Sequence, residues 1–129
     1  MPELGFQVEL NLPYEKALEL VTAALKDQGF GVLTSIDVKE TMKKKLDVDF
    51  KKYHILGACN PPFAYKALQA EDKIGTMLPC NVIIIEVDPD TTEVAAINPL
   101  VSMQAVNNPA LNDVAQQVTG KLKKVVESI

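Results

Sequence analysis

The chain has 129 residues, 47% of them hydrophobic and 23% charged, with a formal net charge of -4. This is globular composition at single-domain length (residues 1–129), enough to bury a core without disulfide or metal staples. The acidic balance argues against a partner whose phosphates must be neutralised, so no nucleic acid is expected, and no apolar stretch approaches the roughly 20 residues that span a bilayer.

The opening MPELGFQVEL has no basic segment followed by an apolar run, which predicts no signal peptide, and with no spanning stretch a cytoplasmic protein without a membrane partner is expected. Phe6, Val8 and Leu10 then alternate with polar residues, the period of a half-buried strand. Pro13 opens a helix with the apolar stripe Tyr14, Leu18, Val21 and Leu25, and Gly29 is placed to end it. Alternation resumes over Phe30, Val32, Thr34, Ile36 and Val38, a second strand. Lys39 to Leu46 reads as a brief, charged surface helix.

Tyr53 to Cys59 is a third strand. Asn60 and Pro61 then suit the N-cap and first turn of a helix through Phe63, Ala67 and Leu68. A second helical piece ends near Met77, stopped by Pro79. Val82 to Val87 is short, apolar and β-branched, as a central strand should be. Asp88-Pro89-Asp90 signals a turn into a fifth strand, Thr92 to Ile97, and the pair reads as a hairpin. Asn98-Pro99 breaks the chain again. Asn108 and Pro109 then open a last helix striped by Leu111, Val114, Val118, Leu122 and Val125. The order is β-α-β-β-β-β-α with helical excursions. It predicts an α+β fold: a largely antiparallel sheet with two main helices on one face.

Both cysteines precede an asparagine: Cys59-Asn60 ends one predicted strand and Cys80-Asn81 begins the next. If those strands are antiparallel neighbours, the two thiols meet at one end of the sheet despite the intervening residues. Three readings compete. The cysteines are buried as small hydrophobes. Alternatively they form a thiol site, a redox pair or half of a metal site, with Cys59 favoured by the helix that follows it. Or Asn60, Asn81 and Asn98 line a polar pocket for a small molecule. Two cysteines and one histidine fall short of a four-ligand zinc site within one chain. His54 is expected to point away from Cys59, so a metal would need a second subunit. No catalytic motif is present, His54 has no partner at motif spacing, and Glu86 is expected at the solvated end of its strand. These residues favour a non-enzymatic binding or thiol-sensing module over an enzyme with Cys59 or Cys80 as nucleophile or redox centre. The identity of any cofactor is left open.

The segments GFGVLTSIDV (Gly29 to Val38), YHILGACNPP (Tyr53 to Pro62) and LPCNV (Leu78 to Val82), in this order, resemble the domain of unknown function 302 family. The resemblance implies a fold like half of a TATA-binding protein, without DNA binding, and a tendency to form dimers. The hallmark positions it implies are Gly57, Cys59, Asn60, Pro61, Leu78, Pro79, Cys80 and Asn81. Asn98-Pro99 stands where such sequences more usually carry Asp-Pro.

The strand Val82 to Val87 is apolar on both faces, whereas two helices cover only one face of a sheet. A homodimer is therefore expected, through sheet surface or strand edges near the Val82 to Ile97 hairpin.

Overall fold

The alternating segments pair in the computed structural model, which describes residues 5–129, into a sheet ordered β1-β5-β4-β3-β2. Its strands are β1 (Gly5–Leu10), β2 (Gly31–Asp37), β3 (Tyr53–Cys59), β4 (Cys80–Asp88) and β5 (Thr91–Ile97), and every neighbouring pair is antiparallel. The isoleucine-rich β4 is the central strand, as its composition predicts. The β4–β5 hairpin turns at Asp88 to Asp90, where the Asp90 N–H donates to the Asp88 carboxylate at 2.9 Å.

Helices α1 (Tyr14–Asp27) and α5 (Asn112–Ser128) lie against one another and against the same face of the sheet. Their stripes bury Ala17, Val21 and Leu25 from α1, and Leu122 and Val125 from α5, against Val82, Ile84 and Val94. Those strand residues alternate with Ile83, Ile85 and Glu93, so only one face of each strand enters this core. Thr92 is the polar member of that face. It is fully buried, and its hydroxyl donates to the Leu12 carbonyl at 2.8 Å, satisfying both groups.

Gly29 ends α1 as the sequence predicts. At φ 83° it adopts the left-handed conformation that glycine enters without a Cβ clash. The Phe30 N–H then donates to the Leu25 carbonyl at 2.9 Å and the Gly29 N–H to Lys26 at 3.0 Å, a Schellman closure.

The remaining helices are α2 (Val38–Leu46), α3 (Pro61–Ala70) and α4 (Pro99–Ser102). Asp37 caps α2 by accepting from the Glu40 N–H at 3.0 Å, and the helix buries no residue, consistent with its charge. Two local details depart from the sequence reading. Asn98-Pro99 starts the short α4 instead of only breaking the chain. Pro109–Leu111 is a 3-10 turn, so α5 begins at Asn112. In both places an asparagine accepts a backbone N–H two residues on, which seeds a turn whether or not a long helix follows.

Candidate functional site

β3 and β4 are antiparallel neighbours in which Ala58 faces Cys80 and Gly57 faces Asn81. The end of one strand thus lies beside the start of the next, and the chain between them makes an excursion over that end. The excursion consists of α3 and a 3-10 turn, Asp72–Met77, anchored by the fully buried Ile74. Beneath it is a cavity of about 310 Å³. The sheet contributes Leu33, Ala58, Cys59 and Cys80. α3 contributes Phe63, Ala64, Ala67 and Leu68, and α5 contributes Val114 and Val118. Both cysteines therefore line one cavity among apolar side chains.

The two cysteines are chemically unequal. Both are free thiols, but Cys59 is partly exposed and Cys80 is buried. Burial first, and the charge of the neighbouring Cys59 second, push the Cys80 thiol up from 9.0 to about 11. Cys80 therefore keeps its proton at neutral pH, which removes it as a resting nucleophile and leaves Cys59 as the accessible thiol.

Asn60 also lines the cavity and is only 8% exposed. Its side chain does not cap α3. Its Nδ2 instead donates to the Gln28 carbonyl at 3.4 Å, tying the start of α3 to the end of α1. Among the described residues nothing donates to its Oδ1, so that oxygen remains an acceptor. Pro61 and Pro62 open α3 without N–H groups of their own, which reduces what a cap must satisfy.

Asn81 and Asn98 are placed elsewhere. Asn81 is exposed on the opposite sheet face, in a shallow basin with Gln7, Ile83 and Glu93. The Asn98 Oδ1 accepts from the Leu100 N–H at 3.0 Å and the Thr119 hydroxyl at 3.3 Å, which makes it a junction between α4 and α5. The structure thus gathers Cys59, Asn60 and Cys80 at one cavity and leaves the other two asparagines outside it. Strand alternation explains the split: Cys80 and Asn81 are consecutive and point to opposite faces.

Gly57 belongs to this arrangement through its missing side chain. A Cβ there would collide with Thr34 Oγ1 and lie 2.6 Å from Pro79 Cγ, so glycine lets Thr34 and Pro79 close over the strand. Pro79 follows a cis peptide bond and itself lines the cavity.

His54 is far along β3 from Cys59 and is engaged by partners that its position in the chain does not announce. Its ring nitrogens bond Tyr14 and Ser35. Glu86 sits toward the end of β4, partly exposed and 3.8 Å from the Lys52 ammonium. Among the described residues no group of three His, Cys, Asp or Glu side chains is arranged to hold a metal ion.

A five-stranded antiparallel sheet with α1 and α5 on one face and a strand-end cavity lined by Cys59, Asn60 and Cys80 defines an α+β protein. The family model of the Domain of unknown function DUF302 matches residues 6–129, and the chain belongs to that family. It is similar to an uncharacterized conserved protein of the same family from Bacillus stearothermophilus. That crystal structure superimposes with a TM-score of 0.87 at 27% identity, over 96% of each chain. No curated protein matches the chain in sequence. No helix among the described residues is long and apolar enough to cross a membrane.

Proposed function

We propose that this protein binds a small, mostly apolar molecule beneath α3, with the Cys59 thiol at the binding site reporting or capturing its occupant. The observation that carries the reading is the cavity of about 310 Å³ whose wall is apolar except for Asn60 and the thiols. That volume is at the lower end of small-molecule sites, roughly 300–1,000 Å³, and suits a single ring or a short chain. Asn60 Oδ1 would receive one hydrogen bond from the ligand, since Nδ2 is committed to Gln28. The two free thiols suit a reducing compartment, and a cytoplasmic location follows from that reading.

Titration with butylbenzene and octanol, followed by amide NMR, tests the site. Saturable shifts are expected in α3 and at Ala58 to Asn60. Ala64 lines the cavity and is only partly buried, so Ala64→Phe fills the space from the rim with little risk to the fold. It should weaken binding at least about tenfold, the equivalent of 1.4 kcal/mol. Undiminished binding in Ala64→Phe, or no saturable binding in the parent chain, would sink the proposal.

A second reading concerns assembly and rests on the sheet face opposite α1 and α5. Ile83 and Ile85 are partly buried there and Val87 is 53% exposed. The strand order narrows the route. β4 and β5 are paired on both sides, so their hairpin has no free edge, and the edge strands are β1 and β2. A homodimer near Val82 to Ile97 would therefore form through the sheet surface. Sedimentation at micromolar concentration should give twice the 14.1 kDa chain mass. A single monomeric species would refute it.

A further inference from the structure

A second polar cluster lies well along β3 from the cysteine cavity, and its geometry is that of a nucleophile with its base. His54 Nε2 is 2.6 Å from the exposed Ser35 Oγ, and His54 Nδ1 is 3.1 Å from the Tyr14 hydroxyl. Three elements supply these groups: β2, β3 and the first residue of α1. Asp37 pairs with His54 and Ser35 with Leu56 across the same two strands, so Ser35, Asp37 and His54 share a sheet face. The inner ring nitrogen is held by a buried tyrosine while the outer one meets an exposed hydroxyl. A hydroxyl within reach of a base, itself oriented by a third group, is the signature of an activated nucleophile.

The surrounding charges select the chemistry. Burial and the carboxylates of Asp37, Glu15 and Glu86 push the Tyr14 phenol from 10.0 up to about 12, so it stays protonated and serves as a hydrogen-bond partner. The Lys52 ammonium is drawn to Glu15 at 2.6 Å and Glu86 at 3.8 Å. The three carboxylates repel phosphate esters and other anions, so the electrophile carries no negative charge. β2 is an edge strand with all seven residues exposed, so its outer side offers unpaired backbone N–H groups of the kind an oxyanion requires.

We propose that Ser35 and His54 form a nucleophile–base pair that accepts an acyl group from a small, uncharged, activated carboxylic ester, with Tyr14 as the residue positioning His54. Ser35 Oγ attacks the carbonyl carbon, and its proton passes to His54 Nε2 while Nδ1–H donates to the Tyr14 oxygen. A C–O bond forms as the carbonyl π pair moves onto oxygen. When the pair returns, the ester C–O bond breaks and the alcohol departs with the proton from Nε2. Water then repeats the sequence on the acyl-serine, releasing the acid and restoring the hydroxyl.

The test uses the full chain carrying Cys59→Ser, so that the thiol cannot react, with p-nitrophenyl acetate as the probe and mass spectrometry of the acetylated peptide as the readout. An acetyl group on Ser35 is expected, and Ser35→Ala, a change on an exposed strand, should abolish it with no change in melting temperature. His54→Gln should slow acetylation at least about 100-fold, the scale of general base catalysis. Nitrogen NMR should show one His54 tautomer in the parent, and Tyr14→Phe should slow acetylation at least about tenfold and give a tautomer mixture, since Tyr14 positions the ring. Acetylation confined to lysines, or equal rates in the parent and Ser35→Ala, would overturn the assignment. Should His54→Gln unfold, the Ser35→Ala comparison still decides it.

Discussion

Thiol labelling of the native chain is expected to stop at one equivalent, on Cys59, with Cys80 reacting only when the protein unfolds. The reactive species is the thiolate. Raising the Cys80 thiol from 9.0 to about 11 lowers its thiolate fraction at neutral pH about 100-fold, and burial to 7% exposure restricts access further. Iodoacetamide labelling resolved by peptide mass should therefore show rates differing by at least about 100-fold. Two thiols of equal rate in the folded chain would contradict the environment described for Cys80. The same shift makes an alkaline prediction. Below pH 9 the thiol is protonated in both folded and unfolded chains, and stability does not depend on it. Between about 9 and 11 the unfolded chain loses the proton first, so stability falls as pH rises. The loss attributable to this group is at most about 2–3 kcal/mol. The buried Tyr14 adds a loss of the same sign between 10.0 and about 12. Cys80→Ala should flatten the lower part of that slope and leave the tyrosine part.

Gly57→Ala is expected to cost about 3 kcal/mol, the upper end of overpacking in a close-packed site. The added methyl would meet Thr34 Oγ1 on one side and Pro79 Cγ, 2.6 Å away, on the other. A threonine side chain can rotate; a proline ring on a strand end has little room to yield. Thr34→Ala added to Gly57→Ala should therefore recover only part of the loss, and urea midpoints of the two single variants and the double variant measure the recovery. Because Pro79 also lines the cavity, Gly57→Ala should speed labelling of Cys80. A loss under about 0.5 kcal/mol would mean that Pro79 is not seated on Gly57.

Much of this architecture is legible in local patterns. The β-branched run from Val82 marks the central strand, the alternation from Phe6 marks β1, and Gly29 marks the end of α1, because each signal is carried by neighbouring residues. The juxtaposition of Cys59 with Cys80 was legible only conditionally, on the strands being antiparallel neighbours, and the register of Ala58 opposite Cys80 meets that condition. What the sequence hides is where a side chain's partner comes from. Asn60 reads as a helix cap, but its amide reaches Gln28, and the two prolines after it make a cap less necessary. Asn81 reads as the twin of Asn60, yet its strand position sends it to the other face. His54 has no partner within motif distance because Ser35 and Tyr14 lie 19 and 40 residues away and meet it only through strand pairing and helix packing. A bulge between Val32 and Thr34 shifts the β2 register, so even knowledge of the pairing would not fix the face of each β2 side chain by simple counting.

The strand order also dictates when the structure can be completed. β2, β3 and β4 each pair with the strand next in the chain, so β2 to β5 can zip together successively as the chain emerges from the ribosome. β1 precedes the other strands in the chain, but its partner is β5, with Phe6 opposite Ala96, so its place in the sheet does not exist until β5 has been made. During synthesis the first strand waits with its apolar residues unpaired. α5, which contacts α1, β1 and β5, comes later still and seals the core. The segment made earliest thus docks near the end, and mutations in β1 should act mainly on the unfolding rate while those in the β3–β4 pair act on folding.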